Sequence, residues 1–526
     1  MTPARTLWAL VVLSSALRLL WAGAIGPGND EAYHYLYAVH PAWSYYDHPP
    51  MMALVAWLGM RLCGGSASIL ALRLGFVLLF AGSTLVMARL TRRHYGPWAG
   101  VMAAFVLNLS AYHTAAVGAF ALPDGPLLFF WLLTLDQFSA ALERSESIRP
   151  WVWVGVSWGC ALLSKYHAVF LPAGAFLYML ASPPARSWLR RPGPYLAVAV
   201  GICVFSPVLI WNATHGWASF AFQAERATGE LRFRPDSLLG AVGGAAAYLF
   251  PWIWLFLIVT LYRRGRGWIA GTAREADKML LCQSIFPLAT FLAVSCVRPV
   301  LPHWILVAYL GIMPMLGDHW ATRREVQPAR MRRRLRTLTA LTILPAMVYA
   351  TWYQTGLFQK GAGLIPVVDA SDDPTAEMYG WDQVAEELRR RGLTDIPGAF
   401  LFTSKWYQSG HLAFALQNSV PVLCYNATAP HGFAQWSDPE QWVGHDGILL
   451  SFNHSSTEPD AYDRWFERIE PIGTFAVKRA GATIRTVRIF RCVRQTQPFP
   501  FGEDPSVAAE MQIATVERMT GAGPAR

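Results

Sequence analysis

The chain has 526 residues, of which 54% are hydrophobic and only 15% charged, with 23 tryptophans and a formal net charge of +10. Soluble domains carry about 25% charged residues, which excludes a soluble multidomain protein, and several apolar runs approach the ~20 residues that cross a bilayer as a helix. The positive balance reads through topology rather than nucleic-acid binding, because Arg and Lys cluster in short loops between apolar runs.

Leu7 to Ile25 is the first apolar run. It is long for a signal peptide, lacks a small-x-small cleavage site before Asp30, and is read as a retained span. Gly28 to Met51 follows, GNDEAYHYLYAVHPAWSYYDHPPM, with Asp30 and Glu31 at its start and Asp47 and His48 near its end. Charges at a membrane border among Tyr33, Tyr35, Tyr37, Trp43, Tyr45 and Tyr46 point to polar chemistry on a lipid-borne substrate.

Ile69 to Ala88 is the next span, and Arg89, Arg92 and Arg93 after it mark a cytoplasmic end. Residues 26–68 then form a loop on the far side. Pro97 to Val117 and Pro126 to Leu142 flank a short loop with Pro123, Asp124 and Gly125. Trp151 to Ala181 is broken by Ser164, Lys165, Tyr166 and His167, and Arg144, Arg149, Arg186, Arg190 and Arg191 flank it. Basic residues at both ends predict a hairpin of two short helices with Lys165 at its far-side tip. Tyr195–Trp211, Leu238–Tyr262, Met279–Cys296, Trp304–Trp320 and Leu335–Trp352 complete about eleven spans. Seven arginines lie between Arg323 and Arg336 against one acid, Glu325.

From Tyr353 the pattern is that of a soluble layer. Helices are predicted over Trp381–Arg391 and Lys405–Gln417. Strands are predicted over Ala399–Thr403, Pro421–Cys424, Gly447–Phe452, Thr474–Lys478 and Ile484–Phe490. The expected organisation is a transmembrane domain over 1–352, a far-side α/β domain over 353–495 and a disordered tail over 496–526. Of the seven cysteines, five lie in or beside apolar runs and read as small core residues, while Cys424 and Cys492 are candidates for a disulfide. The sequons at Asn212, Asn426 and Asn453 read as coincidence.

This topology gathers Asp30, Glu31, Asp47, His48, Asp124, Lys165, Arg298 and His303 at one membrane face, from loops far apart in the chain. Asp30 and Glu31 fit a helix N-terminus with Asn29 or Asp30 as cap; they equally fit a general base at Asp30. Asp47 and Asp124 are either helix caps or oxygen ligands for a divalent cation. His48, beside Asp47, favours the cationic form. Lys165 lies mid-run, where an anionic lipid headgroup explains it better than snorkelling does. Arg298 is a phosphate clamp, and His303 closes the same turn.

The segments NDEAYHY, YYDHPPM, ALPDGPLLFFW, LLSKYHAVFLP, WNATHGWASFAFQ and LPHW, with MYGWDQVAEEL and SKWYQSGHLAFAL in the tail, resemble glycosyltransferase family 39. This is the dolichyl-phosphate-mannose-protein mannosyltransferase and aminoarabinose transferase superfamily of GT-C fold, and the resemblance is strongest to its bacterial branch. It covers nearly the whole chain in order. It implies a polytopic α-helical membrane protein with a small C-terminal α/β periplasmic domain in a cell inner membrane. It also implies inverting transfer of one sugar from a polyprenyl-phosphate donor to a lipid, polysaccharide or protein acceptor.

By motif, Asp30 takes the place of the family's catalytic carboxylate with Glu31 as companion, and Lys165 that of the lysine after a short leucine run. Asp124 matches an acid that one branch links with a metal. That branch has an acid and then Lys before Pro-Pro, where this chain has Asp47-His48. The developing phosphate charge would fall to Lys165 and Arg298, with His48 and His303 beside them. The rival class is a transporter or flippase for an anionic or lipid-linked substrate. It predicts a repeat between the two halves, and none is visible in the sequence.

Overall fold

A computed structural model of the chain describes residues 2–65, 67–143, 147–227, 232–361, 363–452 and 458–501. Arg144, Asn453 and most of the expected tail over 496–526 lie outside the described residues.

The helices in chain order begin with α1 (Pro3–Ala24), α2 (Asn29–Val39), α3 (Met51–Leu62), α4 (Ile69–Tyr95), α5 (Pro97–Asn108) and α6 (Asp124–Glu143). They continue with α7 (Arg149–Ser164), α8 (Phe170–Ala181), α9 (Pro183–Arg186), α10 (Pro192–Thr214), α11 (Ala218–Ala227), α12 (Pro235–Leu249) and α13 (Pro251–Ile269). Then come α14 (Glu275–Ser295), α15 (Ile312–Val326), α16 (Pro328–Thr355), α17 (Trp381–Arg390), α18 (Trp406–Ala415) and α19 (Phe433–Trp436). Two compact units result: the first comprises residues 1–23 and 42–346, the second 24–41 and 347–526. Helix α2, read in the sequence as part of the transmembrane domain's first loop, packs within the second unit.

In the first unit, α1, α4, α6, α10 and α14 are long and apolar enough to cross a membrane. Two bent pairs raise the count among the described residues to as many as seven: residues 166–190, bent by 112°, and α12 with α13, bent by 110°. About eleven spans were expected, and several expected spans are interrupted. Leu238–Tyr262 breaks at Phe250, which adopts a left-handed φ of 64° ahead of Pro251. Pro97–Val117 divides into α5 and a π-turn at His113–Val117. Trp304–Trp320 starts as a 3₁₀ turn, Trp304–Tyr309, before α15. Close helix packing is set by small residues: a Cβ on Gly100 would come 2.5 Å from the Ala88 carbonyl oxygen, and one on Gly317 2.6 Å from that of Ala99.

The second unit is an α/β layer. Strands β1 (Phe400–Thr403), β2 (Val422–Cys424), β3 (Gly447–Phe452), β4 (Phe466–Arg479) and β5 (Ala482–Gln495) form one sheet in the order β2-β1-β3-β5-β4. The β1 pairings with β2 and β3 are parallel; β3–β5 and β4–β5 are antiparallel. The last two strands run well beyond the predicted segments because Ala480 (φ 49°) and Gly481 (φ 89°) form a tight two-residue hairpin loop. Positive φ at both positions matches the right-handed twist of the flanking strands. Cys424 and Cys492 are both free and buried. They stand on β2 and β5 with two strands between, about 14 Å apart at ~4.8 Å per strand, beyond disulfide reach.

Candidate active site

Lys165 is where the first unit departs from regular helix. It has extended backbone (φ −162°, ψ 141°) between the end of α7 and a 3₁₀ turn, Tyr166–Val169. The cause is local. Pro172 in the first turn of α8 cannot donate to the Ala168 carbonyl, and the Trp158 indole N–H takes that carbonyl instead (2.9 Å). Ser164 bonds back to the Cys160 carbonyl (2.7 Å), which loosens the last turn of α7.

The freed lysine is buried, and its Nζ donates to both oxygens of Asp124, at 3.1 and 2.9 Å. Asp124 opens α6 beside Gly125, whose missing Cβ would meet Phe76 at 2.8 Å. His303 and His167 stand within electrostatic reach of this pair, and His48 within reach of His167. His303 stacks on Tyr112 at 5.6 Å, and His167 on Phe291 at 5.3 Å. The Asp47–His48 turn reaches the same region: Gln223 on α11 donates to the Asp47 carbonyl (2.8 Å), and Tyr166 shares a 2.5 Å hydrogen bond with Ser219. Asn212 is wholly buried and accepts from the Ser219 and Phe220 N–H groups, so it is no glycan acceptor.

The structure thus brings Asp47, His48, Asp124, Lys165 and His303 together. Burial first, and then the Lys165 charge, hold His303 down to about 4, against an upward pull from Asp124. It is therefore a neutral hydrogen-bonding group at neutral pH. Arg298 lies in the turn after α14, where its carbonyl accepts from Ser237 Oγ at 2.6 Å. No contact joins it to the Lys165 group among the described residues. No group of three or more His, Cys, Asp or Glu side chains among them could hold a metal ion. A divalent cation at Asp124 would have to displace Lys165 from both carboxylate oxygens.

Asp30 and Glu31 belong to the second unit, on α2. Gly28, not Asn29 or Asp30, is the N-cap; its N–H donates to the Glu31 carboxylate at 3.2 Å, and Glu31 is buried. Glu31 is thereby committed to the helix start, while Asp30 is exposed in the same turn. Asn29 Oδ1 instead meets His411 Nε2 of α18 at 3.0 Å. Helices α2 and α18 touch at Gly410, where a Cβ would lie 2.7 Å from the Tyr33 nitrogen. Burial and the charge of Arg485 hold His411 well below the usual histidine range.

Two buried cations of the first unit escaped the sequence reading. Arg18 of α1 donates to the Ser14 carbonyl and Thr114, with its guanidinium 3.9 Å from the Phe80 ring centre. Arg73 of α4 donates to the Ala22 carbonyl at 2.6 Å. The available signal was an arginine inside an apolar run.

Three comparisons bear on this arrangement. The sequence profile of the dolichyl-phosphate-mannose-protein mannosyltransferases matches residues 47–211, the stretch holding Asp47, His48, Asp124 and Lys165. The lipid A galacturonosyltransferase RgtD of Rhizobium johnstonii is 26% identical over 313 residues, 58% of this chain and 62% of that protein. The match thus spans less than two thirds of that relative's length. The crystal structure of ArnT from Cupriavidus metallidurans in the apo state superposes with a TM-score of 0.60 at 16% identity, covering 93% of this chain and 98% of ArnT. Its complex with undecaprenyl phosphate gives the same score and identity over 92% and 97%. The fold is therefore that of the GT-C membrane proteins, and the chain is a multi-pass membrane protein. The resemblance to the bacterial PMT-like glycosyltransferases read from its motifs is borne out.

Proposed function

We propose that this chain is an inverting glycosyltransferase that moves one sugar from a polyprenyl-phosphate donor to an envelope acceptor on the periplasmic side of the inner membrane. The observation that carries the reading is the buried Lys165–Asp124 pair at a helix break, ringed by histidines. Lys165 has three N–H donors, and among the described residues its ammonium bonds go to Asp124, so donor capacity remains for a phosphate oxygen. The ArnT structure with bound undecaprenyl phosphate supports this donor class in the same fold. The likeness to RgtD favours lipid A as acceptor and a hexuronic acid as the sugar.

In this scheme the acceptor hydroxyl attacks the anomeric carbon as the bond to the phosphate oxygen breaks. The electron pair leaves with the polyprenyl phosphate, whose charge Lys165 stabilises. The hydroxyl proton goes to a carboxylate base, the role that the motif resemblance gives to Asp30. Polyprenyl phosphate is already a good leaving group, so no general acid is required. We read the interrupted helices as crossings, about eleven spans in all, with the C-terminal end of the chain periplasmic.

The test is sugar transfer from labelled polyprenyl-phosphate sugar in membranes holding the full chain. Asp30→Asn is expected to abolish transfer while donor binding persists; Lys165→Gln is expected to weaken both. Transfer unchanged in either variant, or substrate flux with no glycosidic bond made, overturns the assignment. Mass spectrometry of envelope lipids with and without the protein then names the acceptor.

A further inference from the structure

A cavity of about 360 Å³ opens where α13, α15 and the start of α16 converge, apart from the residues assigned above. Its rim is basic: Arg263 from α13, His319 and Arg323 from α15, Arg330 and Arg334 from α16, with no acidic side chain in the lining. Its floor is apolar, built from Leu255, Phe256, Val259, Trp320 and Met331.

Neighbouring Arg264 shows what an arginine here does when the protein supplies a partner: it pairs with Asp277 at 3.1 Å and with Asp318. Arg263, Arg323 and Arg334 have no carboxylate partner among the described residues, and Arg330 has only a 3.3 Å bond to Gln327. Partial burial and the like charges of Arg330 and Arg323 make Arg334 hold its proton less firmly than an ordinary arginine. Its guanidinium lies 5.3 Å from the Phe256 ring centre, at the junction of rim and floor. The rim repels itself, and an anion would relieve it.

From Leu255 to Arg263 is about 12 Å along the helix at ~1.5 Å per residue, enough for a headgroup and the first part of a chain. Leu255 and Val259 are exposed on the outer surface, so the floor opens where hydrocarbon would lie. We propose that this cavity binds the phosphate headgroup of an anionic phospholipid, with the arginines clamping the phosphate and the apolar floor seating an acyl chain. The rim belongs to the arginine-rich 323–336 segment, which the positive-inside rule assigns to the cytoplasmic leaflet. The apolar floor favours a lipid over free phosphate.

The experiment is native mass spectrometry of the purified full-length protein after exchange into an equal mixture of phosphatidylglycerol and phosphatidylcholine. The wild type is expected to retain phosphatidylglycerol selectively, and equimolar inorganic phosphate to leave it bound. Arg323→Gln with Arg330→Gln and Arg334→Gln should cut retention about a hundredfold, at about fivefold per arginine. Arg332→Gln with Arg333→Gln, exposed and outside the cavity, should change it less than about twofold. Equal retention in the two variants, or of the two lipids, overturns the proposal; complete displacement by inorganic phosphate reassigns the site to free phosphate and also overturns it. If the triple variant does not fold, Arg330→Gln alone, an exposed change, should still lose about fivefold.

Discussion

Two buried ion pairs, one in each unit, show how differently a charge can be used. In the second unit Arg479 and Asp373 are both fully buried, and Arg479 also donates to Gln359 (3.0 Å), the Tyr353 carbonyl (3.2 Å) and Thr375 (2.7 Å). Asp373 in turn accepts from the Thr375 N–H and hydroxyl and from the Trp352 indole. Nearly every lone pair and proton is used, so this pair is a fixed joint. In the first unit Lys165 spends its ammonium on one carboxylate at a helix break, and the Nε2 of neighbouring His167 has no hydrogen-bond partner among the described residues. A saturated pair holds structure; an unsaturated one keeps capacity for a ligand.

The largest expected effect separates them by chemistry. Lys165→Met combined with Asp124→Leu removes both charges together and leaves no orphan. Sugar transfer should fall at least about a hundredfold, while the melting temperature stays within a few degrees because a well-packed apolar pair can replace a buried ion pair. Retained transfer would make the first pair structural too. Next comes Arg479→Met alone, which strands Asp373. A loss of about 3–5 kcal/mol is expected, read as a large drop in thermal unfolding of the full chain; an unchanged transition would sink the idea of a fixed joint.

A smaller effect follows from pH. The unfolded chain protonates His411 near about pH 6.5, while the folded site resists the proton. The unfolded state then binds more protons below that pH, so stability is full above it and falls as pH drops. His303, held near 4 in the fold, adds a slope of the same sign between about 6.5 and 4. His411→Gln should flatten the melting-temperature profile between pH 7.5 and 5; superimposable profiles would refute this. Smallest of all, dithiothreitol should shift the melting temperature by less than about 1 °C, since Cys424 and Cys492 are free. A clear shift would mean a bond the sheet order forbids.

The sequence by itself determined a great deal here. Apolar runs interrupted by basic loops settled a membrane protein, because no soluble core needs such lengths. Short-range pattern placed α17, α18 and the parallel strands β1, β2 and β3 within a residue or two, since each depends on local alternation and turn chemistry. Of the eight residues that the topology gathers at one face, Asp47, His48, Asp124, Lys165 and His303 lie in one region of the first unit. Tertiary structure decided the rest. NDEAYHY and SKWYQSGH, nearly four hundred residues apart, fold on each other at Gly410, which moves α2 out of the transmembrane domain. The separation of Asp30, left exposed, from Glu31, buried against Gly28, depends on that packing, as does the neutral state of His303. Charge identity can be read along a chain; burial, and therefore whether a charge is spent or available, exists only after distant segments have met.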